Sequence, residues 1–210
     1  MKGKKTLGIA LAATILLAGC NKDDEHIEKY SEGLNQLQKA EAPIQNVNKE
    51  MNKLEKEKEK ISKEVSGKNI NSVQEQVKAF LDNANKREAQ LKKEEEAMDK
   101  SQQAFNQLKK ASSKIEDKDD KKEFDELNKA LEEKYSKHEG FLEGYQAVIT
   151  KEKDLFNYFQ NESGTQEEID KKSEALSKAQ KDMSNKVKAY SKAIRNVQTE
   201  KRDVDELINN

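Results

Sequence analysis

From Ile70 to Ile115 the chain places a core-type position every three or four residues without a break. These positions are Ile70, Val73, Val77, Phe80, Ala84, Arg87, Leu91, Glu94, Met98, Ser101, Phe105, Leu108, Ser112 and Ile115. Ten of the fourteen are apolar, a regularity that an unstructured chain does not produce. Alternating steps of 3 and 4 keep one narrow stripe on one side of a helix, so the segment predicts a coiled-coil-like seam. Composition alone leaves the question open. With 39% charged residues, 33% hydrophobic residues, no Trp and one Pro, the chain could be disordered or could form long helices with narrow apolar faces. The periodicity decides for helices.

Three further runs share the rhythm. One comprises Phe124, Leu127, Leu131, His138, Phe141, Tyr145, Val148, Leu155 and Phe159, and another Ile169, Leu176, Ala179, Met183, Tyr190, Ala193, Val197, Val204 and Leu207. The first run, Ile27, Tyr30, Leu34, Leu37, Ile44, Val47, Met51, Leu54, Ile61 and Val65, slips in phase around Pro43. Proline lacks a backbone donor, so a kink is expected there. Turn signals separate the runs at Gly67-Lys68-Asn69, Glu116–Asp120 and Ser163-Gly164. Helix starts are expected at Ser72 with Glu75, Asp120 with Glu123, and Thr165 with Glu168, all at capping-box spacing. Helices of roughly 40–45 residues would be about 60–68 Å long. Short connections make neighbours antiparallel. The expected fold is all-α: an elongated antiparallel bundle of about four long coiled-coil-like helices, forming a single domain over residues 26–210.

The first twenty residues have a different character. Lys2, Lys4 and Lys5 precede an apolar stretch from Thr6 to Ala18, followed by Gly19 and Cys20. A basic start, a short apolar stretch and small residues before a cleavage point read as a secretory signal over residues 1–19. The stretch is too short for the roughly 20 apolar residues of a bilayer span. Leu17-Ala18-Gly19-Cys20 resembles the bacterial lipobox, in which the cysteine thiol receives diacylglycerol and cleavage falls just before it. Cys20 is the chain's one cysteine. Once it is acylated, no thiol remains for disulfides, metal ligation or catalysis. Residues 20–25 then form a short tether from the membrane lipid. The expected location is the extracytoplasmic face of the bacterial cell membrane, lipid-anchored. Removing residues 1–19 takes away three of the 40 basic residues and none of the 41 acidic ones, so the remaining chain is mildly acidic.

With the helical runs and the lipobox in place, the sequence resembles the YkyA-like family of lipoproteins from low-GC Gram-positive bacteria, to which cell-wall binding is ascribed. The resemblance rests on Leu17-Ala18-Gly19-Cys20, on NANKREAQLKKEEEAMDKSQQAF (Asn83 to Phe105) and on YSKHEGFLEGYQAVITKEKDLFNYF (Tyr135 to Phe159). It implies an extracytoplasmic lipoprotein with an envelope role and brings no catalytic residues.

The sequence holds little that could carry catalysis. His26 and His138 are far apart, and His138 sits at a seam position that favours packing over metal ligation. Carboxylate runs such as Glu94-Glu95-Glu96 stand at helical spacing from lysines and read as solvated faces. Gly140 and Gly144 form a GxxxG outside any apolar 20-residue stretch, which reads as close helix packing or a local weak point. No enzyme activity, cofactor or metal is expected.

One polar feature is less ordinary. Between Lys171 and Arg202 stand ten basic and three acidic residues, an excess of seven positive charges in an acidic chain. Lys171, Lys178, Lys181, Lys188, Lys192, Arg195 and Arg202 fall at positions facing away from the seam. They form a candidate stripe for an anionic polymer such as teichoic acid, or else a solvated or internally paired face. The expected function is a membrane-anchored, cell-wall-binding or envelope-binding helical module without catalysis. Its partners would be membrane lipid through Cys20 and wall polymer (teichoic acid or peptidoglycan) or a membrane protein, and not nucleic acid. The alternative is a structural spacer or scaffold for a membrane-protein partner.

Overall fold

Pro43 divides the first heptad run into two helices. The computed structural model describes residues 23–160 and 164–209, apart from the side chains of Ile70 and Asn209. Its elements are α1 (Asp24–Glu41), α2 (Ile44–Val65), a single 3-10 turn (Ile70–Ser72), α3 (Gln74–Ser112), α4 (Lys118–Tyr158) and α5 (Gln166–Asn209). Ala42 keeps a right-handed helical conformation (φ −53°, ψ −37°), and the helical ladder is interrupted between Glu41 and Ile44, on either side of Ala42 and Pro43. The expected kink is thus a full break. The three later helices, of 39, 41 and 44 residues, are the long ones the heptad runs predict.

Two of the three expected caps are placed differently. Asp117, not Asp120, caps α4: its Oδ1 accepts from the Asp119 and Asp120 amides at 2.9 and 3.1 Å. The Ser72 hydroxyl turns back to the Asn69 carbonyl at 2.6 Å, while the Asn69 side chain accepts from the Asn71 amide. Short polar side chains close local turns as readily as they cap helices. At α5 the expected cap forms, with the Glu168 amide donating to Thr165 Oγ1 at 3.3 Å.

The described helices divide into two compact units, and α3, α4 and α5 contribute residues to both. The first unit takes residues up to Gln45, Glu96–Tyr135 and Ala193 onward. Here α3 runs antiparallel to α1, since Glu41 meets Ser101 and Asp23 meets Glu116. It also runs antiparallel to α4, since Ser112 meets Asn128 and Ser101 meets Tyr135. The core joins Tyr30, Leu34, Leu37, Phe105, Leu108, Phe124, Leu127 and Leu131, with Val197 and Val204 of α5. A Cβ at Gly33 would lie 3.3 Å from Leu108 Cβ, so glycine lets α1 approach α3 closely.

The second unit takes Asn46–Glu95 and Ser136–Lys192. Its α4–α5 pair is antiparallel, with Lys172 reaching Asp154 at 2.9 Å and Lys186 reaching Glu143 at 3.2 Å. One apolar cluster gathers Val73, Val77, Phe80, Leu155 and Phe156, where the Phe80 and Phe156 rings stack at 3.6 Å. Another joins Ala84, Leu91 and Ile149. Gly144 packs against α5: a Cβ there would meet Lys186 Cδ at 2.7 Å and Met183 Sδ at 3.0 Å, whereas one at Gly140 would meet nothing within 4 Å. Only one glycine of the GxxxG is a packing residue. No helix among the described residues is long and apolar enough to cross a membrane.

Candidate functional site

The four polar residues that interrupt the α3 seam are all buried. A buried polar group without a partner costs roughly 1–3 kcal/mol, and each of the four has one. In the first unit, Asn128 Nδ2 donates to Ser112 Oγ at 2.8 Å and Asn128 Oδ1 accepts from Tyr30 OH at 2.9 Å. Ser101 Oγ donates to Glu41 Oε1 at 2.6 Å and lies 2.8 Å from Tyr135 OH, and Lys134 also pairs with Glu41. Burial pushes the Tyr30 and Tyr135 hydroxyls above the ordinary phenol range.

In the second unit, His138 Nε2 lies 3.1 Å from Glu94 Oε1, and the Tyr190 ring stands edge-on to the imidazole at 5.2 Å. The expected packed histidine is therefore present. Next along α3 is the most charged layer. Arg87 pairs with Glu152 of α4 and lies 3.3 Å from Glu55 of α2. Lys58 Nζ reaches Glu55 at 2.6 Å and Glu152 at 3.2 Å. Tyr145 OH donates to Glu55, and Arg87 Nε donates to Asn83 Oδ1 at 2.9 Å. Burial works against the charged forms here, but the Glu152 carboxylate outweighs it and raises Arg87. For Glu55, burial is overcome by hydrogen bonds from Lys58 and Tyr145, which hold the carboxyl below its usual range. Burial, reinforced by that same carboxylate, raises the Tyr145 hydroxyl. This network borders a cleft of about 330 Å³ between α2, α4 and α5, to which Glu55, Lys58 and Tyr145 contribute.

The candidate stripe of α5 is exposed at each of its seven positions. Lys171 pairs with Glu167 at 2.9 Å and Arg202 with Asp203 at 3.3 Å. Lys178, Lys181, Lys188, Lys192 and Arg195 have no ion pair among the described residues. Lys172 and Lys186, which are turned toward α4, pair with Asp154 and Glu143. Among the described residues, the helix therefore divides its cations between Lys172 and Lys186, which meet acids of α4, and five central stripe residues that meet none.

Cys20 lies outside the described residues. Three residues later, Asp23 is buried, and its carboxylate accepts from the Glu116 amide at 3.0 Å and the Asp117 amide at 2.9 Å. Both oxygens are engaged on the α3–α4 turn, which accounts for the absence of a side-chain cap from Asp23 on its own helix. Among the described residues, no group of three or more His, Cys, Asp or Glu is placed to hold a metal.

Several participants escaped the sequence reading: Glu152, Tyr135, Lys134 and the Glu55–Lys58 pair. The third heptad run takes a step of seven from Leu131 to His138 and again from Val148 to Leu155. Tyr135 and Glu152 fill those gaps, at steps of four and three, so the missing seam positions were the available signal. Lys58 fills the same kind of gap in α2, between Leu54 and Ile61, whereas Glu55 lies beside that seam and nothing local distinguishes it from other surface carboxylates.

Comparison with known proteins agrees with this architecture. A solved Staphylococcus aureus structure, described as a conserved protein of unknown function, superposes with a TM-score of 0.77 at 31% identity, covering 87% of this chain and 93% of that one. The Bacillus subtilis (strain 168) protein named "Uncharacterized lipoprotein YkyA" is 24% identical over 167 residues, 78% of this chain and 74% of that protein. The family model YkyA, described as "Putative cell-wall binding lipoprotein", matches residues 25–207. This helical chain, with its buried polar layers and its exposed basic α5 face, belongs to the YkyA family of lipoproteins.

Proposed function

We propose that this lipoprotein is a non-catalytic envelope-binding module, held on the outer face of the membrane by acylated Cys20 and contacting anionic wall polymer along α5. The observation that supports the reading is the row Lys178, Lys181, Lys188 and Lys192, continued by Arg195. All five are exposed, and none has an acid partner among the described residues. Steps of 3, 7 and 4 residues keep the four lysines on one side of the helix. Clustered like charges repel one another, and a phosphate polymer offsets that repulsion. The family description, which speaks of cell-wall binding, supports the wall as the source of the polymer.

A second reading, a rigid spacer or scaffold for a membrane-protein partner, is favoured by the buried polar layers, which match particular residues of α3 to particular residues of α4. Co-sedimentation of the full chain with purified walls separates the two. Binding to walls that carry teichoic acid, lost on stripped walls, supports the polymer reading. Binding to neither supports the spacer, and equal binding to both moves the contact from teichoic acid to peptidoglycan. Fractionation tests the anchor: Cys20→Ala should leave the protein unprocessed or release it from the membrane fraction.

A further inference from the structure

We infer that the second unit carries a separate site for an uncharged ligand: the cleft lined by Met51, Asn52, Glu55, Tyr145, Gln180 and Met183 fits one amide- and hydroxyl-bearing sugar ring, such as an N-acetylated hexosamine. The inference goes beyond the charge-based reading of α5 and does not depend on it. The cleft's volume, about 330 Å³, is at the small end of the range of ligand pockets, roughly 300–1,000 Å³. That favours a single ring over an extended chain.

The lining is divided as a sugar ring is divided. Met51, Met183 and the Tyr145 ring offer apolar, polarizable surface to the C–H face of a ring, and thioethers adapt to irregular shapes. The polar groups are the neutral amides of Asn48, Asn52 and Gln180, together with Glu55, Lys58 and the Tyr145 hydroxyl, which are already bonded to one another. Asn52 Nδ2 donates to the Asn48 carbonyl at 2.7 Å, and its Oδ1 has no partner among the described residues. The Gln180 amide likewise has none. Amides both donate and accept, as hydroxyls and acetamido groups do. Glu55 adds an acceptor: its side chain is 36% exposed, and Lys58, Arg87 and Tyr145 hold it from behind. A group whose position is locked by its supporting shell is the kind that recognises a ligand.

Charge points the same way. Arg87 and Lys58 stand against Glu55 and Glu152, two cations and two anions already paired with one another. The wall of the cleft has no local excess of either sign, unlike the outer face of α5. A charged ligand would lose hydration here without finding a counter-charge.

The test is saturation-transfer NMR on the full chain in detergent micelles, titrated with N-acetylglucosamine. The expected result is saturable binding that does not change with salt. It should weaken about tenfold in the Asn52→Ala/Gln180→Ala double variant, the loss expected for two hydrogen bonds. Both positions are exposed, so the unfolding midpoint should hold and confirm that the variant is folded. Changing Lys178, Lys181, Lys188 and Lys192 to Gln should leave sugar binding intact even where wall-polymer binding is lost, which separates this site from the charged one. Absence of saturable binding, equal binding by the double variant, or binding abolished by salt would each overturn the inference.

Discussion

Arg87 of α3 and Glu152 of α4 form an ion pair in which neither side chain reaches solvent, with relative exposures of 0% and 2%. Taking both charges out of water costs several kcal/mol per ion, and the attraction between them roughly offsets that cost only when the remaining hydrogen-bonding groups are satisfied. Here Asn83, Glu55 and Lys58 supply those contacts. Removing one partner alone strands the other. Glu152→Ala is therefore expected to lower stability by about 3–5 kcal/mol. Replacing both, as Arg87→Met with Glu152→Leu, should recover most of that loss. Urea unfolding of the single and double variants measures the difference.

The Glu55 carboxyl sets an acid limit on the second unit. Its folded value lies below the ordinary 4.5, because hydrogen bonds from Lys58 and Tyr145 outweigh burial. A depressed acid stabilises the fold above its unfolded value, and that contribution disappears as pH falls through the folded value. Thermal stability should accordingly decline below about pH 4.5, and Glu55→Gln should flatten this part of the profile. A profile unchanged by the substitution would count against the network.

Gly140 and Gly144 separate helix propensity from packing. Gly140→Ala meets open space and should raise stability by about 0.5–1 kcal/mol, the usual gain for alanine over glycine inside a helix. Gly144→Ala should gain less, because Lys186 and Met183 must shift to admit the methyl group. Melting temperatures of the two variants report the contrast.

Asp23 fixes the start of α1 on the α3–α4 turn. Asp23→Ala leaves the Glu116 and Asp117 amides without their acceptor and should cost about 1–3 kcal/mol. Hydrogen exchange at those two amides should quicken in the variant and be protected in the native chain.

How far the sequence could be read depends on distance along the chain. The α3 seam was legible because a heptad repeat is a local pattern: Leu91, Met98 and Phe105 are buried and Lys93 is exposed, as the register requires. Phe105→Ala should therefore cost about 3–5 kcal/mol, against less than about 0.5 kcal/mol for Lys93→Ala. The polar breaks in that seam were visible, yet their partners were not, since Glu152 lies 65 residues from Arg87 and His138 lies 44 from Glu94. Ser72 and Asp120 were misread as caps because Asn69 and Asp117 compete for the same turns. The outward direction of the α5 lysines followed from periodicity. Which of them meet acids on α4 depended on how the helices pack.

The central claim is that the unpaired lysines of α5 hold anionic wall polymer by charge. The most direct measurement is the affinity of the full chain for purified teichoic acid across a salt series, compared with a variant in which Lys178, Lys181, Lys188 and Lys192 are Gln. Exposed charges are screened beyond about 8 Å at physiological ionic strength. The account predicts steep weakening with salt for the native chain, and for the variant a loss of most affinity and most salt dependence, with helicity unchanged. Native affinity that is flat in salt and equal to that of the variant would contradict it.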